Sequence, residues 1–226
     1  MSTTQLSSDP PTWRVLLSFY FPLVLTSQMM TLSNPLINLA LSRAEEQALH
    51  LAAYSVCFGL AVFLNAPALV SRDVGAGLCR SQRAYARLMR QVIGLGLVIG
   101  LIDLALAWTP IGTLVFEVAL GATDRVAAEA QRVAVAMAPI PLFVGIRGLN
   151  SALALRARRT RLLTQATFLR LITVIGILVA LVSSGLLAAS AVAWSLSGGI
   201  LLETLWIVWV TRGLYRDLPA EGIDPG

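Results

Sequence analysis

The chain has 226 residues, a net charge of +5 and a mean hydropathy of +0.77, with 57 % hydrophobic and 13 % charged residues. A soluble domain carries about 25 % charged residues, so this balance excludes an ordinary water-soluble fold and places the chain in lipid. All its basic residues are arginine, and they lie in short clusters between apolar runs rather than on one face, so no nucleic-acid partner is expected.

A span needs about 20 mostly apolar residues to cross ~30 Å of hydrocarbon. Six runs qualify, near 16–41, 48–71, 91–111, 127–155, 162–185 and 189–211, and they predict an all-α polytopic membrane protein. Residues 1–15 read as a short cytoplasmic segment with Arg14, 16–212 as a six-helix lobe and 213–226 as a cytoplasmic tail ending in a disordered "LPAEGIDPG". The first run is too long for a signal peptide, has no small-residue cleavage site and carries Pro22, Pro35 and Asn38, so it reads as a permanent span. It also bears a stripe, Ser27, Thr31, Asn34, Asn38 and Ser42, at steps of four, three, four and four residues. Such a face serves either as helix-packing glue or as a wall toward substrate, and not as a surface for lipid.

Span two adds Asn65 beside Pro67, and Cys57 lies within it. The loop "SRDVGAGLCRSQRAYARLMR" follows, with Cys79; the two cysteines suggest free thiols rather than a disulfide or a CxxC site. In span three, Gly96 and Gly100 form a GxxxG, which signals a close helix contact. Asp103, nearer the far end of that span, reads as a proton or cation site, or as a side chain that snorkels or bonds locally. His50, at the edge of an outer loop, reads as ordinary surface. Span four opens with Pro139 and Pro141, which free backbone carbonyls that must be satisfied by neighbours or cavity water.

Arginines crowd the loops after spans two and four and the end of span six, whereas Arg43, Arg125 and Arg132 on the other side stand among acidic residues. The positive-inside rule then puts both termini in the cytoplasm. Three charges in spans four to six stand at one depth. Arg147 lies nine positions before Arg156, Arg170 nine beyond Arg161, and Glu203 nine before Arg212. At 1.5 Å per residue each sits ~13 Å inside its arginine boundary, near mid-bilayer. Each would cost about 2.5–3.5 kcal/mol facing lipid, so the three must face each other, a wet cavity or a partner. Arg147 shares a helix face with Asn150 and Ser151, and Arg170 continues the series Thr164, Thr167, Thr173. A structural ion pair is one reading; two arginines to one glutamate favours a hydrated, charged cavity.

No GxxxxGK[ST] loop, HExxH pair or GxSxG elbow occurs, so neither an enzyme nor a bound cofactor or metal is expected.

"FYFPLVLTSQMMTLSNPLINLALSR", "FLNAPALVSRDVG", "AWTPIG", "PIPLFVGIRGLNSALALRARRT" and a late "LLET", in that order, resemble one six-helix half of the multidrug, oligosaccharidyl-lipid and polysaccharide exporter superfamily, of which MATE transporters are members, and within it the progressive ankylosis protein group. The resemblance covers roughly residues 18–212. It implies one lobe of a MATE-like transporter of the inner membrane, alternating between inward and outward openings. On the matching positions, the Pro and Asn pair of span one is Pro35 and Asn38, the span-four arginine is Arg147 and the span-six acid is Glu203. The ankylosis group is associated with export of anions such as pyrophosphate, citrate or nucleotide, and the wider superfamily with organic cations, drugs and lipid-linked sugars. Such proteins carry two halves in one chain. This sequence holds one, which implies a homodimer, a separate second half, or a piece of a longer chain.

In a homodimer, Arg147 and Arg170 of both copies would set four cations against two Glu203, a cavity suited to a small polyvalent anion. The candidate substrate-binding residues are therefore Asn34, Asn38, Asn65, Arg147, Asn150 and Arg170, with Glu203 and Asp103 as ion-coupling or charge-pairing groups. The rival expectations are a drug or lipid-linked-sugar exporter, and a non-transporting membrane subunit whose polar stripe is wholly buried in helix contacts.

Overall fold

The structure, a computed structural model, describes residues 13–220, without the side chains of 14–19, 22 and 30. The expected N-terminal segment to residue 12 and the end of the tail from 221 lie outside the described residues. Every regular element among the described residues is helical. The first helix, α1 (Trp13–Leu41), is 29 residues long, enough at 1.5 Å per residue to cross the hydrocarbon. Five further helical runs are long and apolar enough to cross a membrane. The chain is thus an all-α multi-pass membrane protein, with rods where the six runs were expected.

The departures occur at prolines and loop ends. The second rod is α2 (Gln47–Leu69) followed by α3 (Ser71–Leu78), broken at Val70 just past Pro67. Removing the Pro67 N–H takes one bond out of the ladder, and the helix resumes at Ser71, four residues later. α4 (Gln82–Trp108) begins well before the apolar run because the Ser81 hydroxyl accepts the Ala84 N–H, a helix start inside the arginine loop. Beyond Thr109, across the expected end of span three at 111, come a one-turn α5 (Pro110–Thr113) and a π-helical turn (Leu114–Ala119). The fourth run divides into α6 (Asp124–Met137) and α7 (Ile140–Arg156) at Ala138 and Pro139. α8 (Arg161–Ser184) stops at Gly185, whose φ of +71° is the left-handed cap that glycine takes without strain. α9 (Ala189–Arg216) runs on past the expected boundary, and the Gln82 N–H donates to the Pro219 carbonyl, tying the stretch beyond α9 to the start of α4.

The broken rod α6–α7 is the centre of the bundle. α7 packs on α3, α4 and α9, α6 on α2 and α9, and α1 lies outermost against α8. Alanines at Ala53, Ala61, Ala130, Ala134 and Ala193 let these backbones approach, as membrane packing requires. The Gly96 and Gly100 contact is real and has a partner. A Cβ on Gly96 would stand 2.6 Å from the Leu142 Cα, and one on Gly100 2.7 Å from the Ala138 carbonyl oxygen, so α4 rides on the α6–α7 break. Gly96→Ala is therefore expected to cost about 1–3 kcal/mol in thermal or denaturant unfolding, because backbone, not a side-chain tip, stands in the way. Gly94→Ala, with open space around its Cβ, should be neutral or mildly stabilising.

Both thiols are free and buried. Burial pushes the Cys79 thiol up from its ordinary value, with Arg156 pulling the other way. His50 is not ordinary surface: its Nδ1 accepts the Ala189 N–H at 3.3 Å and lies 3.5 Å from a Glu129 oxygen. The N-cap of α9 is Ala188, which has no side-chain acceptor, so a residue of α2 supplies one.

Candidate functional site

The three intramembrane charges meet. Arg147 of α7 donates from Nη1 to Glu203 Oε2 of α9 at 2.9 Å, and Arg170 of α8 reaches the same oxygen at 3.4 Å. The other oxygen, Oε1, accepts the Thr167 hydroxyl at 3.0 Å. Equal spacing from the arginine boundary put the three at one depth, and the α7·α9 and α8·α9 packing closes the gap between them. Gly199, one turn before Glu203, makes that packing tight, since a Cβ there would meet Val174 and Arg170.

The arrangement carries one net positive charge, and its members are unequally buried. Glu203 and Arg170 side chains are 3 % and 6 % exposed, whereas Arg147 is 13 % exposed. Arg147 is exposed to two cavities. One, of about 130 Å³, lies toward the arginine-rich end and is lined by Arg72, Ser151, Thr167 and Glu203 besides Arg147. The other, of about 180 Å³, is lined by Ser33, Asn34, Asn65, Arg147 and Arg170 among apolar walls that include Phe58 and Leu196. Leu69, Val144 and Arg147 line both. The Arg147–Glu203 pair is the polar part of the partition between the two spaces.

Four of the expected substrate residues, Asn34, Asn65, Arg147 and Arg170, thus face one cavity. Asn150 does not. It is buried, its Nδ2 donates to the Ile146 carbonyl, and its Oδ1 accepts both the Tyr85 and Thr211 hydroxyls, which uses its capacity in holding α4, α7 and α9 together. Asn38 stands exposed on α1, with Ser27, Thr31 and Ser42 of the same stripe. The Thr31 and Ser42 hydroxyls donate to the Ser27 and Leu39 carbonyls of the same helix, as hydroxyls at membrane depth do. Asp103, on α4, lines neither cavity. It is 4 % exposed, so it does not snorkel, and its Oδ2 has no hydrogen-bond partner.

Two members were not singled out as site residues from sequence. Thr167 was legible only as part of a threonine series, and Ser33 sits inside the α1 run next to the more conspicuous Asn34. Ser33 lies on the buried side of α1 with Met29, Ile37 and Ala40, a spacing that reads as core.

A family model described as progressive ankylosis protein (ANKH) matches residues 3–216. No curated protein matches the chain. Among solved structures, an outward-facing multidrug resistance MATE family transporter of the MOP superfamily is similar in fold, with a TM-score of 0.58 and 17 % identity. The likeness covers 90 % of this chain and 46 % of that one, so this chain spans about half its length.

Proposed function

From the chain's belonging to the progressive ankylosis protein family, we propose that it is a membrane transporter lobe that moves a small organic or phosphate-type anion by alternating access. The observation that carries this reading is the partition: two cavities meet at a buried cluster with a net positive charge, and the least buried arginine belongs to both. A guanidinium at such a place receives an anion from one side and yields it to the other by exchanging it for Glu203. Substrate competes with the internal carboxylate for Arg147, and the loss of that ion pair loosens α7 from α9 at their contact.

The working unit in this proposal is two lobes, a homodimer about an axis along the membrane normal or this chain with a separate second half. Asn38, exposed on α1, supports a second body or a water-filled space there, and counts against a mere packing role for that residue. Residues 16–212 form the lobe, both termini lie in the cytoplasm, and the membrane is the inner membrane. A drug-exporting cavity is less well supported, since the cluster's net charge is positive.

The test is accessibility. Asn34→Cys and Asn38→Cys should react with a membrane-impermeant maleimide in sealed vesicles. The native thiols add little background, because Cys57 and Cys79 are both buried. Labelling that changes sides with added anion supports alternating access. Absence of labelling from either side at both positions overturns it, and native mass spectrometry of the same protein reads the dimer.

A further inference from the structure

Between the end of α7 and the start of α8 lies a cavity of about 450 Å³, lined by Arg158, Arg159, Thr160, Arg161, Leu162 and Gln165. It shares no residue with the two cavities that meet at Arg147. Three of its lining residues are cations and none is an acid, and no ion pair among the described residues engages any of the three. Their neighbour Arg156 differs. Its Nη1 donates to the Ala76 carbonyl at 3.0 Å and ties the end of α7 to α3. The positive-inside rule accounts for arginines at this end of the bundle, but not for three of them around one cavity without a counter-charge.

The turn that presents them is strained. α7 ends in a Schellman motif, in which the Arg159 N–H donates to the Ala154 carbonyl and the Arg158 N–H to the Leu155 carbonyl, each at 2.9 Å. Arg158 takes a φ of +56°, and it is the one non-glycine residue among those described with a positive value. Glycine is the usual residue at this place, because a Cβ is disfavoured in the left-handed region, and α8 duly ends on Gly185. An arginine held at a glycine position marks a side chain kept for something other than the turn.

From the cavity one line leads into the hydrocarbon. Arg161 and Gln165 begin a stripe of exposed residues on α8 that continues through Phe168, Ile172, Ile175 and Val179, at steps of four, three, four, three and four. From Phe168 to Val179 the stripe is apolar and ~16 Å long at 1.5 Å per residue, about the hydrocarbon depth of one leaflet. A cationic cavity at the head of a leaflet-deep apolar track matches a lipid better than a free phosphate. We propose that this cavity holds the headgroup of an anionic phospholipid, with its phosphate on Arg158, Arg159 and Arg161 and an acyl chain along the exposed face of α8. The site is independent of whatever crosses at Arg147.

Native mass spectrometry of the full chain, released from nanodiscs of mixed phosphatidylcholine and phosphatidylglycerol, reads the occupant. The wild-type protein should retain phosphatidylglycerol over phosphatidylcholine by about tenfold or more, since each arginine near an anionic lipid contributes a factor of about five. Arg158→Gly with Arg159→Gln should bring the two lipids close to parity. The same variant should show no drop in its thermal midpoint in phosphatidylcholine alone, because glycine relieves the turn. Arg161→Gln leaves the turn untouched and should lower the preference by about fivefold. Arg87→Gln with Arg90→Gln removes two exposed charges from the same end of the bundle, outside the cavity, and should keep most of the preference. An equal loss in the two double variants overturns the site, because the lipid then answers to surface charge alone, and a wild-type protein without preference overturns it outright. Glycerol phosphate, the same head without acyl chains, should fail to displace the lipid. Displacement by it at millimolar concentration shows a site for a soluble anion and overturns the lipid assignment.

Discussion

Replacing Glu203 by alanine is expected to destabilise the protein by about 3–5 kcal/mol, the largest loss for any single substitution of a charged residue in the bundle. The carboxylate is 3 % exposed and is the shared partner of two buried guanidiniums, 2.9 and 3.4 Å away, and of the Thr167 hydroxyl. Deleting it leaves two like charges side by side in a low-dielectric interior with nothing between them. Glu203→Gln keeps the shape and one acceptor, and should fall between. The control is a double substitution, Glu203→Leu with Arg170→Met. It removes the more buried pair as a unit, and stability should recover by a large part of the loss, since well-packed apolar residues replace buried ion pairs at little cost. Unfolding in nanodiscs or mild detergent reads all four proteins. A Glu203→Ala variant as stable as the parent would mean that the cluster is hydrated and open, not the buried partition described above.

That the three charges converge was legible from arithmetic alone. Arg147, Arg170 and Glu203 each stand nine residues from an arginine at the same end of the bundle, and lipid tolerates none of them. Membrane depth converts residue number into position in a way that no soluble protein permits, which is why six rods and their charged centre followed from composition and spacing. What did not follow is the lateral arrangement. Spacing places Asn150 on the Arg147 face, yet three residues along a helix is also a turn nearer the arginine boundary, and there Tyr85 and Thr211 of neighbouring helices take up its amide. Only the packing of α4 and α9 on α7 decides between substrate face and helix glue.

The same limit hid the breaks and Ser33. Pro67, Pro139 and Pro141 announced irregular backbone, but not that α4 would lean on the α6–α7 break through Gly96 and Gly100. Ser33 gave no signal because its spacing on α1 is that of core residues. The start of α4 at Ser81 was readable in principle as a serine before a polar helical stretch, and was masked by the arginines around it.

Arg147→Ala is expected to reduce anion transport in reconstituted vesicles by about 10- to 100-fold, the loss of one charge-assisted hydrogen bond to a desolvated anion at about 1.4 kcal/mol per decade. The fold should survive this change better than the loss of Glu203, for a geometric reason. Glu203 keeps Arg170 and Thr167, and Arg147 is the most exposed of the three charges, so no buried charge is left wholly unpaired. Transport and stability therefore separate at this residue, and that separation distinguishes a substrate-facing arginine from a structural one. Arg147→Lys sharpens the comparison. The ammonium keeps the charge but presents no planar fork, so it should hold Glu203 adequately while receiving an oxyanion poorly, giving transport between that of alanine and arginine. If Arg147→Ala instead unfolds the protein as readily as Glu203→Ala and leaves the transport of the surviving fraction unchanged, the ion pair is scaffolding and the anion passes elsewhere. If it moves anions at the parental rate with its fold intact, the two cavities on either side of Arg147 are not joined through it. Either result would shift the search for the substrate's path to the exposed stripe of α1, where Asn38 waits on the face that this chain alone leaves uncovered.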